Sequence, residues 1–332
     1  MEKYYNDAII GNKEIIASFT KKGELIRLFY PNIDYRQFID FFHVGLKIND
    51  SSIIYLHNDV NNVYKQYYTE NTNILNTEIL NTYFKVKILQ TDFICEGKNI
   101  LVKKYRIVNE HNIDLDMNFI IHSALLTNNN NQVSGYSKND SLIQYMHDYN
   151  FITCSNKKIK TSQINNNKET IESGEVWDKD YIGMSNDSSI NYDLGKLKPN
   201  EEIEFCIYIT ISSGSEIKNI DEKIEETRSL DYKKELEKTK KYWEKYVKDH
   251  DKIKHSNSNT GFMKKVDKIY KRTILLYPLL TNSKTGGISA AVEIDEERTK
   301  CGRYSYCWPR DRNIYNKCFG FIRNGKRDRK IL

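Results

Sequence analysis

Tyr304, Tyr306, Trp308, Arg310 and Asp311 fall within the eight-residue stretch YSYCWPRD. Aromatic rings beside an Arg/Asp pair suit a sugar: ring faces cover the C–H side of a pyranose, and the charged pair holds several hydroxyls in fixed directions. Composition alone leaves a second reading level with the first, in which the rings pack a core and Arg310 pairs with Asp311 or a neighbouring carboxylate. Upstream lie Gly286, Gly287, Ala290 and Ala291, then an acidic loop with Glu293, Glu296 and Glu297. Cys307 has no paired His in the motif and reads as a small packing residue rather than a nucleophile.

The elements that must position this cluster change character along the chain. From Glu14 to about Ser213 short β-type runs follow one another, among them EIIASF, ELIRLFY, HVGLKI, SIIYLH, YFKVKIL, LVKKYRIV, MNFIIHSALL and EFCIYITI. Many alternate polar with apolar residues between Asn, Asp, Gly and Lys clusters, which argues for antiparallel sheets. More than a dozen strands with no helical period between them exceed a small sandwich and exclude parallel βαβ units. The expected architecture is a large β-sandwich, with the Asn- and Lys-rich residues 155–170 as a solvated loop between strands.

The period then lengthens. In SLDYKKELEKTKKYWEKYVKDH, Leu236, Trp243, Tyr246 and Val247 share one side of a helix whose other faces carry Lys and Glu. A second helix places Phe262, Val266, Ile269, Thr273 and Leu276 three and four residues apart, while Ile274, Leu275 and Tyr277 also need cover. A helix apolar on more than one face belongs inside a helical domain.

With these pieces in order, the chain resembles glycoside hydrolase family 15, the glucoamylase-like enzymes. The resemblance rests on Gly286-Gly287, the small Ala290-Ala291, the acidic loop and YSYCWPRD, and on the opening YNDAIIGN, GELIRLFYPNIDY and FFHVGLKI. It covers Tyr5 to Asp311. It implies a super-sandwich over residues 1–225, a helical linker over 226–256 and the start of an (α/α)6 barrel over 257–311. It also implies that Arg310 and Asp311 bind hydroxyls of the terminal sugar of an α-glucan or maltooligosaccharide, and that Tyr304 and Trp308 wall that pocket.

The reaction implied is inverting hydrolysis of α-glucosidic bonds by two carboxyl groups roughly 6.5 to 9.5 Å apart. In this family both glutamates belong to later barrel helices, so no catalytic residue is expected within residues 1–332, and the chain by itself is expected to be inactive. A trehalase or another α-glucoside hydrolase of the family is the alternative within the class. A non-catalytic carbohydrate-binding sandwich is the alternative outside it. Inverting hydrolysis calls for no metal or organic cofactor. His43, His57, His111, His122, His147, His250 and His255 are scattered along the chain and read as structural or surface residues.

After Asp311 the pattern breaks. Residues 312–332 carry seven Lys or Arg against one Asp and two internal glycines, with no helical period, whereas residues 1–311 balance at 44 charges of each sign. The whole net charge of +6 therefore comes from this tail, and a nucleic-acid partner is not expected. Back-translated with AT-rich codons, residues from Asn313 onward can be read one base later as an amphipathic helix. A frameshift is the leading explanation, ahead of plain truncation and of a basic nucleic-acid arm. The six cysteines show no zinc spacing and read as reduced thiols. No export signal opens the sequence and no apolar run reaches membrane length, so the expectation is a cytoplasmic protein with no membrane partner.

Overall fold

The structure, a computed structural model, describes residues 6–33, 37–126, 133–146, 148–164, 168–177, 182–184, 187–214, 220–252, 261–292 and 307–309. Seventeen strands come first: β1 (Ala8–Gly11), β2 (Ile16–Phe19), β3 (Leu25–Phe29), β4 (Ile39–Ile48), β5 (Ile54–Tyr55), β6 (Asn62–Tyr68), β7 (Leu75–Asn81), β8 (Val86–Ile94) and β9 (Ile100–Asn109) form the first half. They continue as β10 (Leu115–Leu125), β11 (Val133–Lys138), β12 (Ser141–Met146), β13 (Tyr149–Ser155), β14 (Thr161–Ile164), β15 (Ile182–Gly183), β16 (Asp187–Leu197) and β17 (Glu202–Ser213). A short helix α1 (Lys168–Ser173) lies among them, and α2 (Ile220–Arg228), α3 (Tyr232–His250) and α4 (Gly261–Leu280) follow.

The strands make two antiparallel sheets. One runs β1-β2-β3-β4-β10-β16-β14, with β5 added beside β4, and the other runs β15-β11-β12-β13-β17-β9-β8-β7-β6. Alternate residues of each, such as Phe42, Val44 and Leu46 of β4 and Leu101, Tyr105 and Ile107 of β9, meet in the main core between the sheets.

The outer faces are also clad, which is why several strands lose their alternation. Ile100 and Val102 of β9 pack outward under Leu230, Tyr232 and Leu236. Ile143 and Ile152 pack under Ile224 of α2. On the other sheet Ile9, Ile16 and Phe29 pack outward against Trp243 and Val247 of α3 and Leu275 and Leu279 of α4. The sandwich is thus the floor on which the helices lie.

Two expectations are corrected here. Residues 155–170 are not simply a solvated loop: Thr161–Ile164 forms the edge strand β14 and buries Ser162, Gln163 and Ile164. On α4 the buried residues are Ile274, Leu275, Tyr277, Leu279 and Leu280, whereas Phe262 and Ile269 of the anticipated stripe are 72% and 67% exposed. The sandwich reaches only the C-terminal half of that helix. The inward face of α3 meets two clusters: Leu236 packs with Ile100, Val102 and Tyr208, while Trp243, Tyr246 and Val247 pack with Ile9, Ile16 and Phe29.

Candidate functional site

The segment leading to the aromatic block is anchored by main-chain hydrogen bonds. Ser289 N donates to Leu280 O (2.9 Å), Asn282 N to Gly287 O (2.8 Å) and Gly286 N to Asn282 O (2.8 Å), closing a tight turn at the end of α4. Gly286 sits at φ 69°, a left-handed conformation that favours glycine. Val292 O accepts from Asn6 Nδ2 (3.1 Å), and Ile288 and Val292 enter the apolar cluster shared with β1 to β3. α4 itself is held by Arg272, which donates to Thr72 O (3.0 Å) and to Asn73 Oδ1 and lies 3.8 Å from the centroid of the Tyr68 ring.

Of the expected sugar-binding residues only Trp308 lies among the described residues, and it is 45% exposed. Tyr304, Arg310 and Asp311 lie outside them, as do Glu293, Glu296, Glu297 and the basic tail. Cys307 is exposed rather than packed in a core. A methyl group placed on Gly287 would stand 3.9 Å from its Sγ. The chain therefore returns beside the Gly-Gly turn as it enters the Trp308 segment.

A second cluster, which sequence spacing did not reveal, lies on the sandwich. His43 and His122 are register partners on β4 and β10. β5 pairs with β4 through Gly45↔Tyr55 and Leu46↔Ile54, and Leu56 N continues the ladder to Val44 O (2.9 Å). That register carries His57 over His43, with the two rings stacked at 4.5 Å between centroids. Gly45 makes the approach possible: a methyl group there would stand 2.6 Å from Ile53 Cγ1.

Glu24 arrives from the turn between β2 and β3. Thr20 N donates to Glu24 O (3.0 Å), Gly23 takes φ 83°, and a bulge between the Ser18↔Arg27 and Phe19↔Leu25 pairs bends the strand beside it. Glu24 Oε1 stands 3.3 Å from His43 Nε2 and 3.8 Å from His57 Nε2. Farther along, His122 Nε2 stands 3.5 Å from Asp187 Oδ2. Burial pushes His57 down to about 4, against the pull of Glu24 and with help from His43 and Lys22. Burial likewise lowers His122, against Asp187. Three histidines expected to be scattered are therefore gathered with two carboxylates. The expectation of scattered structural or surface histidines is overturned for these three by strand register, which their spacing in sequence does not encode.

The architecture has relatives. No protein-family model matches the chain. A protein of Methanocaldococcus jannaschii described as an uncharacterized glycosyl hydrolase is 25% identical over 349 aligned positions that cover 96% of this chain and 53% of that protein. The chain thus spans about half the length of this relative. Among solved structures, a bacterial glucoamylase complexed with acarbose superposes with a TM-score of 0.68 at 14% identity, covering 88% of this chain and 43% of that one. A protein from the human microbiome named for kojibiose phosphorylase gives 0.60 at 15% identity, covering 87% and 41%. The fold is glucoamylase-like. In both superpositions the shared part includes the helices that follow the sandwich as well as the sandwich, since the strands alone end at Ser213.

Among the described residues no helix is long and apolar enough to cross a membrane.

Proposed function

We propose that this chain is the N-terminal part of a family 15 glycoside hydrolase that releases glucose from starch or maltooligosaccharides by inversion, in the cytoplasm. In this reading α4 begins the (α/α)6 barrel. Tyr304, Trp308, Arg310 and Asp311 wall the pocket for the terminal sugar, and the two catalytic carboxyl groups belong to barrel helices outside these 332 residues. The observation that carries it is the docking of α4 and the Gly286-Gly287 turn onto the sandwich, with Cys307 beside Gly287. It supports the reading because Cys307, a member of the YSYCWPRD block, lies beside Gly287 at the end of the segment docked on the sandwich.

The role of Arg310 and Asp311 is ground-state and transition-state binding rather than proton transfer. Each charge-assisted hydrogen bond to a sugar hydroxyl is worth about 1.5 to 3 kcal/mol. Trp308, already half exposed without substrate, supplies an apolar face that sugar C–H groups can cover.

The test begins with the encoding DNA, read through the codon of Asp311 and onward. The expectation is a continuing barrel sequence in the shifted frame. Expressed with that frame restored, the protein should release glucose from maltotriose faster than from trehalose, and Asp311→Asn should lower kcat/KM about tenfold to a hundredfold. Faster hydrolysis of trehalose would move the assignment to the trehalase alternative. No barrel sequence in any frame, together with glucan binding that survives Trp308→Ala, would replace the enzyme by a carbohydrate-binding sandwich.

A further inference from the structure

We propose that Glu24, His43 and His57 form a binding site for a divalent transition-metal ion of the zinc class, clipping three separate segments of one sheet together. One ligand atom from each residue lies within 4.8 Å of the other two. A tetrahedral zinc with bonds of 2.0 to 2.2 Å separates its ligand atoms by about 3.4 Å. The two Glu24–His distances, 3.3 and 3.8 Å, bracket that edge, so the Glu24 arms need only small adjustments, while the imidazoles, stacked at 27° between planes, rotate so that both ring nitrogens face the ion.

The carboxylate supplies an independent reason. The Glu24 side chain is 4% exposed, and its Oε2 is buried without a hydrogen-bond partner. A buried carboxylate oxygen with nothing to accept from is costly, and an ion held by both oxygens of Glu24, Oε1 toward the histidines and Oε2 beside it, would relieve it. The cations around it do not close on it: Lys22 points toward the Tyr64 ring, 5.5 Å from its centroid, and Lys103 is bonded to Asp92.

Ion entry would be from the side of His43, whose side chain is 29% exposed. The ligand set, two histidines and one glutamate with one position left to water, is chemistry that zinc accepts and that calcium or magnesium, which prefer oxygen, does not.

The test uses the full 332-residue chain, stripped with EDTA and titrated with Co²⁺ as a spectroscopic stand-in and with Zn²⁺ by calorimetry. One equivalent of Co²⁺ should bind with the intense visible absorption of a four- or five-coordinate site. Zn²⁺ should displace it and raise Tm. His43→Ala, at the most exposed ligand, should weaken binding at least about tenfold and abolish the Tm gain, while the surface variant His111→Ala leaves both unchanged. Glu24→Gln keeps size and shape and serves if His43→Ala is poorly folded. Binding that is indifferent to His43→Ala and Glu24→Gln, or an octahedral pale-pink Co²⁺ spectrum with no Tm change, would overturn the proposal.

Discussion

Lys103 donates to Asp92 across 2.8 Å with 1% and 0% of the two side chains exposed, and the two residues are direct register partners on β9 and β8. The second carboxylate oxygen accepts from Gln90 Nε2 at 2.6 Å, and the same amide donates to Gly23 O at 2.8 Å. The pair thus ties one sheet to the β2–β3 turn of the other, the turn that carries Glu24. Burial raises the Asp92 carboxyl and lowers the Lys103 ammonium, and each partner pulls the other back.

Breaking this pair should be expensive and replacing it should not. Lys103→Met leaves a buried carboxylate without its cation and should cost about 3 to 5 kcal/mol, whereas Asp92→Leu with Lys103→Met should recover most of that. Urea unfolding midpoints of the single and double variants decide it. A single variant within 1 kcal/mol of the parent would show that water or relaxation already serves Asp92.

The start of α3 should respond to acid. Asp231 caps it, its Oδ1 accepting from Lys233 N and Lys234 N at 3.2 Å each. The bond from Lys234 N, then the Lys234 side chain, holds the carboxyl below its usual value of 3.8. A depressed folded-state pKa stabilises above the unfolded value and loses that contribution as pH falls through the folded one. Hydrogen exchange at the first amides of α3 should therefore quicken as pH drops below about 3.8, after correction for intrinsic rates. In Asp231→Ala the same amides should exchange fast at every pH, and equal protection in both proteins at neutral pH would remove the cap from the account.

Thiol labelling should separate two classes of cysteine. Cys95, Cys154 and Cys206 are buried and free, and burial pushes each thiol up to about 12. Cys307 is exposed. Because the thiolate is the reactive form, iodoacetamide at pH 8 followed by peptide mapping should modify Cys307 while the other three stay intact until the chain is unfolded. Early labelling of Cys206 would indicate that α3 lifts from the sheet.

The outer half of α4 should govern association. Phe262 and Ile269 are seven residues apart on one helix face and largely exposed, a face that a complete helical barrel would cover. Phe262→Ser with Ile269→Ser should raise the monomer fraction of the 332-residue chain in sedimentation velocity and shift stability by less than about 0.5 kcal/mol. A monodisperse parent chain would remove the premise.

The sequence by itself determined what local chemistry controls. Alternation in runs such as EFCIYITI marked strands because side chains of an extended chain point to opposite faces. The spacing of Trp243 and Val247 marked α3 because four residues complete about one helical turn. The aromatic and Arg/Asp block is visible as a local cluster because its members are neighbours in sequence, and its proposed role rests on that proximity. Only the tertiary structure decided which faces are covered twice, which half of α4 is buried, and that Glu24, His43, His57 and His122 meet. These four come from a turn, two strands and a loop. They converge through strand register and the space left by Gly45, and a register is set by the pairing of whole sheets rather than by any pattern within one segment.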